Sequence, residues 1–292
     1  MEIIMKRSYN CWVSNMASLA HYYCRPHAAI FVNNLAIDMG FLCSTQSFNA
    51  DEVGNSLSLY MMRRAHGVEI SQFRSGRIPY DDICRPLLVN VDAFCLPWTS
   101  CYNTTHLPTH CIIIYGRSGS EYMCIDPFFS KENRLIIDLE CIGNVNYSET
   151  NICCPYDKYE ARLDILRFMR ICLLDHLNEL ESMIPELFVS RLTSALRGES
   201  NAYVNRGVIW LTELINKRYC YLELMEYMGI DVGVQISMLV KQWEKCKHLS
   251  IAYIIKCFDD WSLVSEKIMK CVALEKIVAS HIHTYLEREA SL

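Results

Sequence analysis

No run of apolar residues in this chain approaches the roughly 18 residues that a membrane-spanning helix needs. The opening MEIIMKRSYNCW has no apolar core of the kind that marks a secretory signal. The expectation is therefore a cytoplasmic protein with no membrane partner, whose thiols stay reduced. No C-x-x-C pair occurs among the 16 cysteines, which removes the usual signature of zinc ribbons and thioredoxin-like redox sites. Net charge is -5 and no block of Lys and Arg is present, so nucleic acid is not an expected partner. Gly (11) and Pro (8) are sparse in 292 residues, and no internal repeat or low-complexity tract appears, which argues against disordered or fibrous classes.

What remains is the composition of a folded protein. The chain is 51% hydrophobic and 21% charged, long enough for one large domain or two medium ones with real cores. Its two parts read differently. Residues 1–154 hold a helical start followed by short β-like runs, and residues 155–292 are almost continuously helical. The polar stretch NYSETNICC before Pro155 marks the expected boundary.

Helical spacing of Trp12, Met16, Leu19, Ala20 and Tyr23 predicts a first helix from Cys11 to Tyr23, with Ser8 or Asn10 as its cap. A second helix is expected over Pro26–Met39, ended by Gly40, and a third over Asp51–Ala65, ended by Gly67. Val68–Phe73, Pro86–Phe94 and Leu135–Leu139 read as strands. Cys111–Tyr115 and Tyr122–Ile125 read as a hairpin around the loop 116–120. Beyond Pro155, Tyr159, Leu163, Leu166, Met169, Leu173, Leu177 and Leu180 share a helical face. Further helices are expected near 185–197, 201–217, 220–229, 234–247, 249–258 and 261–288, which suggests a bundle.

The hairpin carries the chemical argument. Centred on Ser118, it sets His110 directly across from Asp126, on one face, with Cβ atoms about 5 Å apart. A carboxylate there accepts the imidazole Nδ1–H, fixes the tautomer and stabilises the imidazolium. Cys11 opens a helix, where the dipole and unpaired backbone N–H groups favour a thiolate and serve an oxyanion. Taken singly, Cys11 is one cysteine among 16 that are mostly small buried hydrophobes, His110 a strand-end histidine, and Asp126 a turn opener before Pro127. Together, in the order Cys, His, Asp, they form a papain-like triad. His106 is the alternative base; Cys111 points to the opposite face; His21 reads as structural; His281 and His283 lack the spacing of a metal site. No metal is expected.

The stretches NCWVSNMASLAHYY, LLVNVDAFCLPW, THCIIIYG and YMCIDPF, in this order, resemble segments of the butirosin-biosynthesis acyltransferase family over residues 8 to 130. The resemblance implies an α+β, papain-like catalytic domain with an antiparallel sheet and an N-terminal nucleophile helix, followed by a helical C-terminal domain. It implies that Cys11, His110 and Asp126 are the triad, with Asn10 and Asp92 as additional site candidates. It implies acyl transfer in natural-product, antibiotic-type biosynthesis. The acyl group arrives on the phosphopantetheine arm of an acyl or peptidyl carrier protein, moves to the cysteine and then to a small-molecule amine. No cofactor on the chain itself is implied. A basic contact for an acidic carrier is expected among Arg63, Arg64, Arg74 and Arg77. The rival classes are a cysteine peptidase, amidase or thioesterase of the same fold, and a binding protein that keeps the fold without catalysis.

Overall fold

The computed structural model describes residues 1–6, 8–37, 51–78, 83–138, 143–183, 185–198, 201, 205–257 and 260–289. The chain is α+β, with an antiparallel sheet and a helical C-terminal region. It divides into two compact units, Met1–Ala29 with Ser58–Ala161, and Ile30–Leu57 with Arg162–Leu292. None of the described helices is long and apolar enough to cross a membrane.

In the first unit, helix α1 (Cys11–Tyr22) begins where sequence reading places it. The cap is Asn10, whose side chain accepts a hydrogen bond from the Val13 N–H at 2.9 Å. The second expected helix does not form as read. Among its described residues only the 3₁₀ turn Ala28–Phe31 is helical, and Met39 and Gly40 lie outside the described residues. Pro26, which lacks an N–H, and two consecutive asparagines at 33–34, which favour turns, explain the shortfall. Helix α2 (Asp51–His66) ends at Gly67, whose φ of +68° and close approach to the Cys154 carbonyl leave no room for a Cβ.

The strands are β1 (Val68–Ile70), β2 (Arg74–Gly76), β3 (Leu87–Val91), β4 (His110–Ser118), β5 (Glu121–Ile125), β6 (Leu135–Asp138) and β7 (Val145–Ile152). They form one antiparallel sheet in the order β1-β7-β3-β4-β5-β6, with β2 also on β7. The polar stretch read as a boundary is thus β7, an interior strand. Its buried Ser148 and Thr150 donate to carbonyls of Ser71 and Pro86, which is how polar side chains tolerate that place. Leu139 lies outside the described residues. Alternate residues of β3, β4, β5, β6 and β7 put Leu87, Val89, Val91, Ile112, Ile114, Tyr122, Cys124, Ile137 and Tyr147 into one core. Helix α1 packs on β4, and Tyr23 bonds through its hydroxyl to the Thr150 side chain at 2.8 Å.

The second unit is built from α3 (Lys158–Ser182), α4 (Pro185–Arg197), α5 (Arg206–Met228), α6 (Gly233–Ile254) and α7 (Trp261–Glu289). The breaks expected near 218 and 248 are absent. Neither site has Gly or Pro, and α5 stops only at Gly229, at φ +67°. On α3 the buried line runs through Ile165, Met169, Leu173 and Leu180, while Tyr159 and Leu163 of the expected face are exposed. Phe188, Trp210 and Trp243 stack edge-on in the core, with centroids 5.6 and 6.2 Å apart.

Beside them Arg218 and Glu275, both fully buried, pair at 2.9 Å. Glu275 also accepts from the Trp243 indole N–H at 2.8 Å, and Arg218 donates to the Asn34 carbonyl. Removing one partner strands the other charge in the core. Glu275→Ala should therefore lower the unfolding free energy by about 3–5 kcal/mol, measured by urea denaturation.

Candidate active site

Cys11 is the first residue of α1, held there by the Asn10 cap. The N–H groups of Cys11 and Trp12 have no intrahelical acceptor, a consequence of any helix start, and they point the positive end of the helix at the thiol. His110 is the first residue of β4, paired with Val91 of β3. Asp126 follows β5 directly. His110 and Asp126 are both shut off from solvent.

The His110–Asp126 contact forms, but not across a direct pair. The hairpin turn is the two-residue Gly119–Ser120, with Gly119 at φ +63°, rather than a five-residue loop. A bulge then shifts the register between Ile114 and Gly116. Ile113 faces Ile125, so one further step sets Asp126 across from Ile112, two residues from His110. Two residues keep both side chains on one face, and the carboxylate reaches diagonally. It meets Nε2 at 2.9 Å rather than Nδ1.

Asp126 is fully bonded. Oδ2 accepts from His110 Nε2 and from the Trp98 indole N–H at 2.8 Å. Oδ1 accepts from the backbone N–H groups of Phe128 and Phe129, each at 3.2 Å. The turn that supplies these amides also packs the Phe129 ring 4.9 Å from the imidazole, with Phe128 at 6.2 Å. Burial opposes a charged imidazole. The hydrogen bond to Asp126, the nearby Cys11 thiol and the negative charges of both outweigh it, and raise the His110 pKa from 6.5 to about 9. With Nε2 committed to Asp126, Nδ1 is the nitrogen left for the thiol. It is buried and makes no hydrogen bond within the described residues.

The other candidates fall elsewhere. Asp92 caps a short 3₁₀ turn, Ala93–Cys95, that cuts off the expected end of the β3 strand. Its Oδ1 accepts from the N–H groups of Phe94 and Leu107, and its Oδ2 pairs with His106 Nδ1 at 2.7 Å. That hydrogen bond chiefly holds the Asp92 carboxyl below its ordinary range. His106 is exposed and stacks on Phe94, centroids 4.3 Å apart. Asp92 and His106 thus close the loop leading to His110. Asp92 also lines a cavity of about 370 Å³ with Ser75, Asn90, Asn144 and Asn146, whose wall includes Val91, the strand partner of His110.

Burial pushes the Cys111 thiol well above its ordinary value and the Cys124 thiol up to about 12. None of the described cysteines forms a disulfide. Arg63 and Arg74 pair with Glu69 and Glu149.

Sequence reasoning missed Trp98, Phe129 and Asn15. Trp98 comes from a loop 28 residues before its partner, a separation with no periodic signal. Asn15 Nδ2 donates to the carbonyls of both Cys11 and Cys111, each at 2.7 Å.

The raised His110 pKa ties stability to pH. A group protonated more readily when folded contributes fully below its unfolded value and loses that contribution as pH rises through its folded value. Unfolding free energy should therefore fall between about pH 6.5 and about pH 9, by up to about 3 kcal/mol. Asp126→Asn should flatten that slope, as read by chemical denaturation at a series of pH values.

No protein-family model matches the chain, and no curated protein matches its sequence.

Proposed function

We propose that the first unit is a papain-like catalytic domain and that the chain is an acyltransferase working through a thioester on Cys11. The observation that carries this reading is the buried His110–Asp126 pair at 2.9 Å, on whose imidazole the helix-start Cys11 also acts. An imidazole with its pKa raised to about 9 is charged at neutral pH, which is the state that accompanies a thiolate.

The chemistry closes without any further group. The Cys11 thiolate attacks the carbonyl of a donor thioester, and the N–H groups at the start of α1 hold the oxyanion. The donor thiolate leaves and takes the imidazolium proton from His110. An amine then attacks the acyl-enzyme and gives its proton to the now neutral His110. Collapse expels the Cys11 thiolate, which restores the ion pair and releases an amide. Asp126 orients the ring throughout.

The sequence resemblance supports a carrier-protein phosphopantetheine as the donor thiol, in the cytoplasmic, biosynthetic setting where such carriers work. We assign the polar cavity beside Val91 to the amine acceptor, since its asparagine and serine side chains suit a hydrophilic small molecule. Asn10 acts through the helix it caps, and Asp92 through the loop and cavity wall it forms.

Intact-protein mass after mixing with an acyl-carrier thioester should show one acyl group, mapped to Cys11. Adding an amine should discharge it to amide, and Cys11→Ala should slow amide formation by at least about a thousandfold. Acylation followed only by hydrolysis would make the chain a thioesterase. Steady cleavage of peptides without a carrier would make it a peptidase. No acylation at all would leave a binding protein.

A further inference from the structure

Asn15 sits one helical turn after Cys11, fully buried. A carboxamide NH2 carries two protons, and here each has its own acceptor. One bond goes to the Cys11 carbonyl and the other to the Cys111 carbonyl, both at 2.7 Å. Cys111 directly follows His110. A single side chain therefore ties the backbone of the nucleophile to the backbone beside the base, across 96 residues of sequence.

The bond comes at a cost that packing alone does not require. Asn is a poor helix former at an interior position. Its Oδ1 is buried and bonded to nothing among the described residues. Turning the amide over would set Oδ1 against two carbonyl oxygens, so the orientation is fixed by the two acceptors. Its helix neighbours Met16 and Leu19 are buried and apolar. A half-satisfied amide among them is costly unless its two donated bonds do something an apolar side chain cannot.

We infer that Asn15 is a positioning residue that sets the separation of the Cys11 thiol from the His110 imidazole. The α1 start and the β4 start belong to elements joined mainly by side-chain packing, which fixes distance only loosely. The shared carboxamide fixes it through two short bonds to rigid backbone. The inference rests on the triad reading proposed above and adds the element that keeps its two halves in register.

The test is the pH profile of Cys11 alkylation by iodoacetamide, read by peptide mapping, in wild type, Asn15→Ala and Asn15→Ser. Melting temperature is recorded for each. A thiolate paired with imidazolium reacts well into the acid range, whereas an isolated thiol reacts only as pH approaches its ordinary value. Wild type should show the acid limb. Asn15→Ala should lose it, slowing alkylation at pH 6 by about tenfold while leaving the rate at pH 9.5 within about twofold. Asn15→Ser keeps a hydroxyl able to bond the Cys11 carbonyl within the helix but not to reach β4. It should behave as Asn15→Ala does, and it decides the matter should Asn15→Ala fail to fold. Wild-type Cys11 without an acid limb would overturn the triad reading itself. A wild-type acid limb that survives in the folded variants would overturn the positioning role alone.

Discussion

A carboxylate with no exposure to water has to find its donors inside the protein, and Asp126 finds four. Each donor comes from a different constraint on the fold. Two are amides of the turn that Pro127 opens, so the chain must bend at once after β5. One is the Trp98 indole, which requires the loop after β3 to fold back over the sheet. The fourth is His110, which requires β4 to begin where β3 ends. Remove any of these and a buried charge is left short, so the carboxylate dictates the layout at this end of the sheet. It also explains the imidazole. With Asp126 saturated and close, a proton on His110 stabilises more than burial penalises.

The parity of the hairpin was legible in the sequence; its register was not. His110 and Asp126 are separated by an even number of residues, and a two-residue turn plus a one-residue bulge preserves the shared face while moving the partners two places apart. A slip of one would have put them on opposite faces. The two-residue turn alone would have put them on opposite faces; the bulge, set by tertiary packing, restores the shared face, and the Nε2 contact follows from it. The start of α1 was equally legible, because Asn10 satisfies an orphan amide locally. Trp98 and Asn15 were not, since a bond across 28 or 96 residues leaves no local trace. In α5, Arg218 sits where a break was expected, and its pairing with Glu275, 57 residues away in the core, leaves no local trace in the sequence.

Among the described cysteines, position rather than burial sets Cys11 apart, since Cys24, Cys84, Cys153, Cys154 and Cys257 are more exposed than it is. Cys111 and Cys124 lie in the sheet, with thiols held protonated chiefly by burial. Cys11 is only partly buried and stands at a helix start. Sequence adjacency therefore misleads here: Cys111 is one residue from His110 yet buried in the sheet, while Cys11 is 99 residues away and helps raise the His110 pKa.

The competition between transfer and hydrolysis in the proposed reaction turns on what else can reach the acylated Cys11. Any base that helps an amine attack also helps water, so His110 alone does not discriminate. Its surroundings limit water in one direction. Phe129 lies against the ring, the Trp98 indole closes the Asp126 side, and both imidazole and carboxylate are dry. In the proposed reaction the acceptor must come to Cys11, which is only partly buried. An amine held there by the polar cavity wall competes at high effective concentration, whereas water competes only at its own activity. On this reading the triad supplies reactivity common to hydrolases and transferases alike. The choice between them lies in the loop around Asp92 and the asparagines at the ends of β3 and β7, which line the cavity.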